Sequence, residues 1–259
     1  MKRKRRQSKG WVVIMLLVLL ALVAAVLFRY VFVVRYVEIS GSHPSAPDET
    51  VTRAARIGFG TSIFRLNEEE MRAGVNALGA IRLDGVDVRY PNTVLLSVSE
   101  RKPVAMLLHM AEIRLLDEGC CLVDSVENVP DTDLIYVNGM AVSAYTKGSP
   151  LVAREGQVEA YCAVMQAIGA NGANAYVSEI ELNDPDEIRL ITRTGITVEL
   201  GDMQNMQNKI AWMKSAVTDL EQRSEGGGTL DVRSGNKADY SRPGYQPEAT
   251  KAPEEDTAG

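Results

Sequence analysis

Val86-Asp87-Val88-Arg89-Tyr90-Pro91-Asn92-Thr93-Val94 opens a stretch that ends Leu95-Leu96-Ser97-Val98-Ser99-Glu100. Val86, Val88 and Tyr90 alternate with polar residues. Pro91-Asn92-Thr93 has turn chemistry. Val94, Leu96 and Val98 then share one face, with Leu95 alone apolar on the other. The pattern predicts two strands joined by a turn, with one face buried. Immediately upstream, Met71, Val75 and Leu78 recur at helical spacing and Gly79 stops the run. Asn67 followed by Glu70 resembles a capping box, and Glu68 and Glu69 suit a helix N-terminus. Further back, residues 60–66 read as a loop. Residues 48–57 read as a short helix capped by Asp48 and stopped by Gly58, and residues 33–40 as a strand. The order is strand, helix, helix, strand, strand. A small sheet carrying two helices on one face buries both amphipathic stripes.

Downstream of Pro103 the chain continues as mixed α and β. Residues 104–109, 113–116, 120–123 and 134–137 are strand-like. Residues 155–168 and 203–222 are helical, the second with Met206, Ile210, Met213, Val217 and Leu220 on one face. Residues 177–182, 187–192 and 196–200 are strands with turns between them, and residues 229–232 form a last one. Beyond Ser234 the chain is polar and acidic with three prolines, a composition expected to stay disordered. No internal repeat joins the two regions.

At the other end, Lys2, Arg3, Lys4, Arg5, Arg6 and Lys9 precede an uncharged, proline-free run from Trp11 to Phe28. A bilayer core of roughly 30 Å takes roughly 20 apolar residues as helix. Trp11 and Tyr30 suit the two interfaces, Arg29 can snorkel, and the basic cluster predicts a cytoplasmic N-terminus. A cleavable signal has a core of only about 7–15 residues and a small-residue cleavage site. This run is longer and ends Leu27-Phe28-Arg29-Tyr30, so it reads as an uncleaved anchor. The net charge of −6 hides a basic start, so the exported part is acidic, which argues against nucleic acid as a partner.

Candidate chemistry is sparse. Cys120, Cys121 and Cys162 are too few for a disulfide framework, although a bond from Cys162 to one of the others stays open. Cys120 and Cys121 are expected in a strand, facing opposite sides. Ser99-Glu100-Arg101-Lys102 matches the S-x-x-K pattern of penicillin-binding enzymes, but there the serine opens a helix, whereas Ser99 ends a strand. Ser234-Gly235-Asn236 matches S-x-N, and the K-[ST]-G element is absent. His43 and His109 are the only histidines and lie near no cysteine, so zinc has no ligand set. No G-x-S-x-G elbow or phosphate-binding glycine loop occurs. No catalytic residue, cofactor or metal is expected.

The strand-helix-helix-strand-strand unit directly after the anchor resembles the POTRA domain of the FtsQ/DivIB bacterial cell-division family. Val37-Glu38-Ile39-Ser40-Gly41 is similar to that family's opening strand and turn. Gly60-Thr61-Ser62-Ile63-Phe64-Arg65-Leu66 is similar to its inter-helix loop. Most specific is the stretch from Val86 to Val94, continuing to Glu100-Arg101-Lys102-Pro103-Val104-Ala105. The family pattern there is strand, Arg-x-x-Pro-x-Thr turn, strand and Glu-Arg-x-Pro-x-Ala. Arg89-Tyr90-Pro91 has one residue fewer before the proline than many members. Leu115-Leu116-Asp117-Glu118-Gly119 resembles the segment after this junction. Residues 42–47 depart from the usual Asn-rich turn.

The resemblance implies an α+β protein of five parts. These are a basic cytoplasmic tail (1–10), a transmembrane helix (11–30), a POTRA domain (34–103), an FtsQ/DivIB-type β domain (104–233) and a disordered tail (234–259). It implies a non-catalytic divisome scaffold in the cell membrane, single-pass, with its C-terminal domains outside and its place at the division septum. It implies bitopic partners of the FtsL and FtsB/DivIC type, no small-molecule substrate, and control of septal peptidoglycan synthesis. In the family a partner adds near the last strand of the second domain. The equivalent residues here are Thr229, Leu230, Asp231, Val232 and Arg233, beside the strand at 196–200. An open sheet edge suits strand addition, and proline at Val232 is expected to remove a ladder donor there. The bland alternative is that this strand only closes the sheet. Arg53, Arg56 and Arg65 are candidates for recruiting other partners. Two other classes compete: a membrane-anchored cell-wall enzyme, for which no site is evident, and a POTRA-bearing chaperone or secretion component. Outer-membrane members of that last class carry a barrel of long alternating strands, which this sequence lacks.

Overall fold

A computed structural model describes residues 9–130 and 133–244. Helix α1 (Lys9–Tyr30) is apolar on all sides from Trp11 to Phe28, and its large side chains are exposed. It is long and apolar enough to cross a membrane, as suits a single-pass membrane protein. The rest is α+β and divides into two units, residues 1–102 with 146–149, and residues 103–145 with 150–259.

In the first unit β1 (Tyr36–Ser40) leads to α2 (Asp48–Ala54), α3 (Glu68–Asn76), β2 (Ile81–Arg89) and β3 (Thr93–Glu100). The sheet order is β1-β3-β2. β1 runs parallel to β3 in register from Tyr36 opposite Thr93 to Ser40 opposite Ser97, and β2 is antiparallel to β3. Val94, Leu96 and Val98 of the middle strand are buried against Val51, Met71 and Val75 of the helices. Asn67 caps α3 as expected, its Oδ1 accepting from the backbone N–H groups of Glu69 and Glu70 at 3.1 and 3.3 Å. β2 starts five residues earlier than its alternation predicts, because a bulge between Leu83 and Gly85 breaks the period. Gly41, just past β1, has φ +111°, and a Cβ on it would lie 1.8 Å from the Val98 carbonyl oxygen.

Asp48 does not cap α2. It is the first helical residue, behind an N-cap at Pro47, and its carboxylate instead meets His43 Nε2 at 2.7 Å. His43 Nδ1 lies 3.1 Å from the Gly41 carbonyl. The hydrogen bond to Asp48 is the main cause that raises the His43 pKa. The protonated ring donates to both oxygens, so its stabilising contribution is complete below the ordinary histidine value. It is lost as pH rises through the raised folded value. The His43 ring, followed by NMR, is therefore expected to titrate above the ordinary value. Asp48→Asn should bring it back and flatten the loss of stability on the alkaline side. An unshifted titration in the unmodified protein would remove this contact from the account.

The second unit contains β4 (Ala105–His109), β5 (Glu112–Leu116), β6 (Leu122–Val126) and β7 (Ile135–Asn138). A small hairpin of β8 (Val142–Ala144) and β9 (Val152–Ala153) precedes α4 (Gln157–Asn171). Then come β10 (Val177–Glu181), β11 (Ile188–Thr192), β12 (Thr197–Gly201), α5 (Met206–Gln222), β13 (Thr229–Asp231) and β14 (Asp239–Ser241). Nine strands make one sheet in the order β14-β13-β12-β11-β10-β7-β4-β5-β6. Tyr161, Met165 and Ile168 of α4 and Ile210, Met213 and Val217 of α5 share its core. The buried Gln157 amide is fully used. It donates to the carbonyls of Gly139 and Leu182 at 2.9 and 2.6 Å and accepts from the Ala141 N–H at 2.9 Å. The buried Lys209 ammonium is likewise held by the backbone and side-chain oxygens of Asp202, both at 2.8 Å.

Cys120 and Cys121 lie in the turn before β6, not in a strand. Both are buried, with Cys120 at φ +59°. Burial pushes the Cys120 thiol up to about 12, which makes it inert rather than nucleophilic. Cys120 and Cys162 form no disulfide. The disorder expected from residue 234 onward does not begin there. Residues 234–244 are ordered and contain β14, and residues 245–259 lie outside the described ones.

Candidate functional site: the end of the large sheet

The sequence singles out Thr229, Leu230, Asp231, Val232 and Arg233. Their strand is not the edge of the sheet. β13 pairs in parallel with β12 (Thr197 opposite Thr229, Glu199 opposite Asp231) and antiparallel with β14 (Thr229 opposite Ser241, Asp231 opposite Asp239). Leu230 and Val232 are fully buried in the core. The Val232 N–H, expected to face a partner, donates to the Glu199 carbonyl of β12 at 3.1 Å. Asp231 and Arg233 fold onto one another, with Arg233 Nε 3.0 and 3.1 Å from the two carboxylate oxygens. This contact holds the Asp231 carboxyl below the usual carboxylate range. Arg233 also approaches Glu199 at 3.5 Å.

Among the described residues the edge strand at this end of the sheet is β14, which nothing in the sequence pattern announces. Its position follows from the turn before β13. Gly228 has φ +79°, and a Cβ there would lie 2.4 Å from the Ser241 carbonyl oxygen, so only glycine lets β14 approach. The Tyr240 hydroxyl donates to the Gly227 carbonyl at 3.0 Å, and Arg242 pairs with Glu225 at 3.1 Å. The ladder fixes which backbone groups remain open. The Gly228 carbonyl accepts from Thr197 N–H at 3.0 Å, so Gly228 and Val232 both point toward β12. By strand alternation Leu230 does too, while Thr229 and Asp231 point toward β14. Tyr240, opposite Leu230, therefore turns its own N–H and C=O outward. Between this strand and the end of α5 runs a groove of about 520 Å³, floored by Ala216, Leu220, Leu230 and Tyr240 and rimmed by Arg223, Glu225 and Arg242.

The arginines proposed for the other unit separate into two places. Arg53 and Arg56 line a groove with Val37, Ile57 and the exposed Phe59. Arg65 lies in a different groove with Phe28, Arg29 and Thr61. The Ser99 hydroxyl is committed to Asp84. Burial pushes the Asp84 carboxyl up, but hydrogen bonds from Ser99 and Arg82 outweigh it and hold the group low. Among the described residues no three His, Cys, Asp or Glu side chains gather as a metal site.

Known families match on both sides of the junction between the units. The POTRA domain of FtsQ type matches residues 32–101, and the C-terminal domain of cell division protein FtsQ/DivIB matches residues 121–233. The chain belongs to the FtsQ/DivIB family. One relative of this FtsQ/DivIB chain is cell division protein FtsQ of Koribacter versatilis (strain Ellin345), 23% identical over 168 residues. That match takes in 64% of this chain but only 45% of the relative's length. Another is cell division protein DivIB of Clostridium tetani (strain Massachusetts / E88), 18% identical over 196 residues, with coverage of 75% and 73%. The major extracytoplasmic domain of DivIB from Geobacillus stearothermophilus, solved as its trans isomer, aligns with a TM-score of 0.31 at 16% identity, over 48% of this chain and 97% of that one. In this FtsQ/DivIB chain β14 lies beyond the last matched residue.

Proposed function

We propose that this FtsQ/DivIB chain is a non-catalytic scaffold of the divisome. Its N-terminus is cytoplasmic and its folded units extracytoplasmic. It gathers small bitopic partners of the FtsL and FtsB/DivIC type at the septum and through them regulates septal peptidoglycan synthesis. The observation that carries the reading is the outward-turned backbone of Tyr240 at the end of the sheet, where an incoming strand finds one donor and one acceptor. The buried side chains of Leu230 and Val232 support that edge from behind, and the charges of Asp231 and Arg233 flank it. This moves the contact one strand outward from the residues that the sequence picks out.

The test combines location and binding. In cells depleted of the native protein, a fluorescent fusion at the N-terminus is expected to band at midcell and restore division. A Tyr240→Pro fusion should lose about tenfold in affinity for the bitopic partner relative to Tyr240→Ala, which removes the ring but keeps the donor. An even membrane signal with normal division on depletion would overturn the scaffold. Equal binding by the proline and alanine variants would overturn the edge while leaving the scaffold standing.

A further inference from the structure

We propose that the first unit stands on the lipid surface where α1 emerges, through a foot of four aromatic rings and an arginine-lined notch that takes the phosphate of an anionic phospholipid. The foot is assembled from four separate places in the chain. Phe28 comes from the end of α1, Phe32 from the link to β1, Phe64 from the turn between α2 and α3, and Tyr90 from the end of the β2–β3 hairpin. Phe28 lies 5.4 Å from Phe32 and 5.5 Å from Phe64, ring to ring. Phe64 lies 5.6 Å from Phe32 and 6.0 Å from Tyr90. A cluster of this kind is ordinarily buried, yet Phe28, Phe64 and Tyr90 are 54%, 52% and 65% exposed. It is continuous with an apolar helix whose large side chains are exposed from Trp11 onward. Aromatic rings in that position, where a membrane helix ends, are stabilised by the interfacial layer of a bilayer.

Beside the foot is a notch of about 590 Å³ lined by Phe28, Arg29, Thr61, Ser62 and Arg65. Its lining holds two guanidinium groups, two hydroxyls and no carboxylate. Guanidinium groups bind phosphate through paired N–H donors, and the apolar stems of Arg29 and Arg65 can lie along acyl chains while their heads reach the headgroup layer. A lipid phosphate is therefore the occupant that the notch and the foot favour jointly.

The inference rests on α1 spanning the bilayer, which the native Trp11 reports separately. The test uses the full chain in vesicles with brominated acyl chains, as single-tryptophan variants. Trp11 is kept in Trp212→Phe, and Phe64→Trp, Tyr90→Trp or Ser42→Trp is made with both native tryptophans replaced by phenylalanine. Ser42 lies beyond the far end of β1, an end about 13 Å along the strand from its start. Loss of emission is expected at Trp11 and at the reporters placed at 64 and 90, but not at the one placed at 42. Quenching at Trp11 alone would overturn the foot while the anchor holds. No quenching at Trp11 would overturn the anchor itself. Quenching at 42 as strong as at 64 would mean a unit lying flat, which also overturns the proposal. For the notch, energy transfer from the reporter at 64 to dansyl phosphatidylglycerol should exceed that to dansyl phosphatidylcholine, and the excess should vanish in the Arg29→Gln/Arg65→Gln pair. Equal transfer to the two lipids would overturn the phosphate site.

Discussion

Gly41→Ala is expected to unfold the POTRA unit and leave the large sheet intact. The new methyl carbon would sit 1.8 Å from the Val98 carbonyl oxygen and 3.0 Å from its carbon. Both atoms are backbone of the central strand β3, where Val98 is buried, so no side chain can swing aside to relieve the clash. The φ of +111° adds strain for any residue with a Cβ. Backbone strain and overpacking together cost about 4 kcal/mol, close to the entire stability of many small domains. Hydrogen exchange should show β1, β2 and β3 unprotected while β4, β7 and β10 keep their protection. Retained protection across β1–β3 would mean that the turn after β1 can be rebuilt.

Val232→Pro is expected to detach the end of the large sheet rather than merely blunt a binding edge. The substitution deletes the N–H that reaches Glu199 and places a rigid ring at a fully buried position. A lost ladder bond and the clash of the ring cost about 3 kcal/mol or more. Amide protection should collapse in β13 and β14 and persist in β10 and β11. Full protection in β13 would show that the bond to Glu199 contributes nothing. Partner binding measured on this variant would confound a disturbed scaffold with a blocked edge, which is why Tyr240 is the cleaner position for proline.

The two units were legible from the sequence in unequal degree. Alternation in Val94, Leu96 and Val98 and helical spacing in Met71 and Val75 located the POTRA core, because each stripe faces a single buried side. The same logic located the helix through Ile210, Met213 and Val217. Strand β14 escaped because Asp239-Tyr240-Ser241 carries one aromatic among polar neighbours. Its pairing is dictated by the close approach at Gly228, a tertiary fact with no local signature. The N-cap at Asp48 was misassigned for a related reason: the chemistry suits a cap, but a histidine five residues earlier takes the carboxylate. The aromatic foot was hidden because its four rings come from stretches far apart in the chain, each unremarkable alone. The residues singled out in the sequence therefore lie one strand in from the edge of the sheet, and the open backbone groups of that edge follow only from the ladder.

The parallel pairing of β1 with β3 has a mechanical consequence. The membrane tether enters β1 at its Tyr36 end, and the chain leaves β3 at its Glu100 end. With the strands parallel, these two points lie at opposite ends of the ladder. A pull between membrane and sheet therefore acts along the strands and loads all five register pairs, Tyr36–Thr93 to Ser40–Ser97, at the same moment. Had the tether fed an antiparallel neighbour, both attachment points would share one end and the pairs would peel apart in turn. In a chain of the FtsQ/DivIB cell-division family, the first unit is thus wired as a shear joint in series with the apolar helix, and its ladder resists tension as a block.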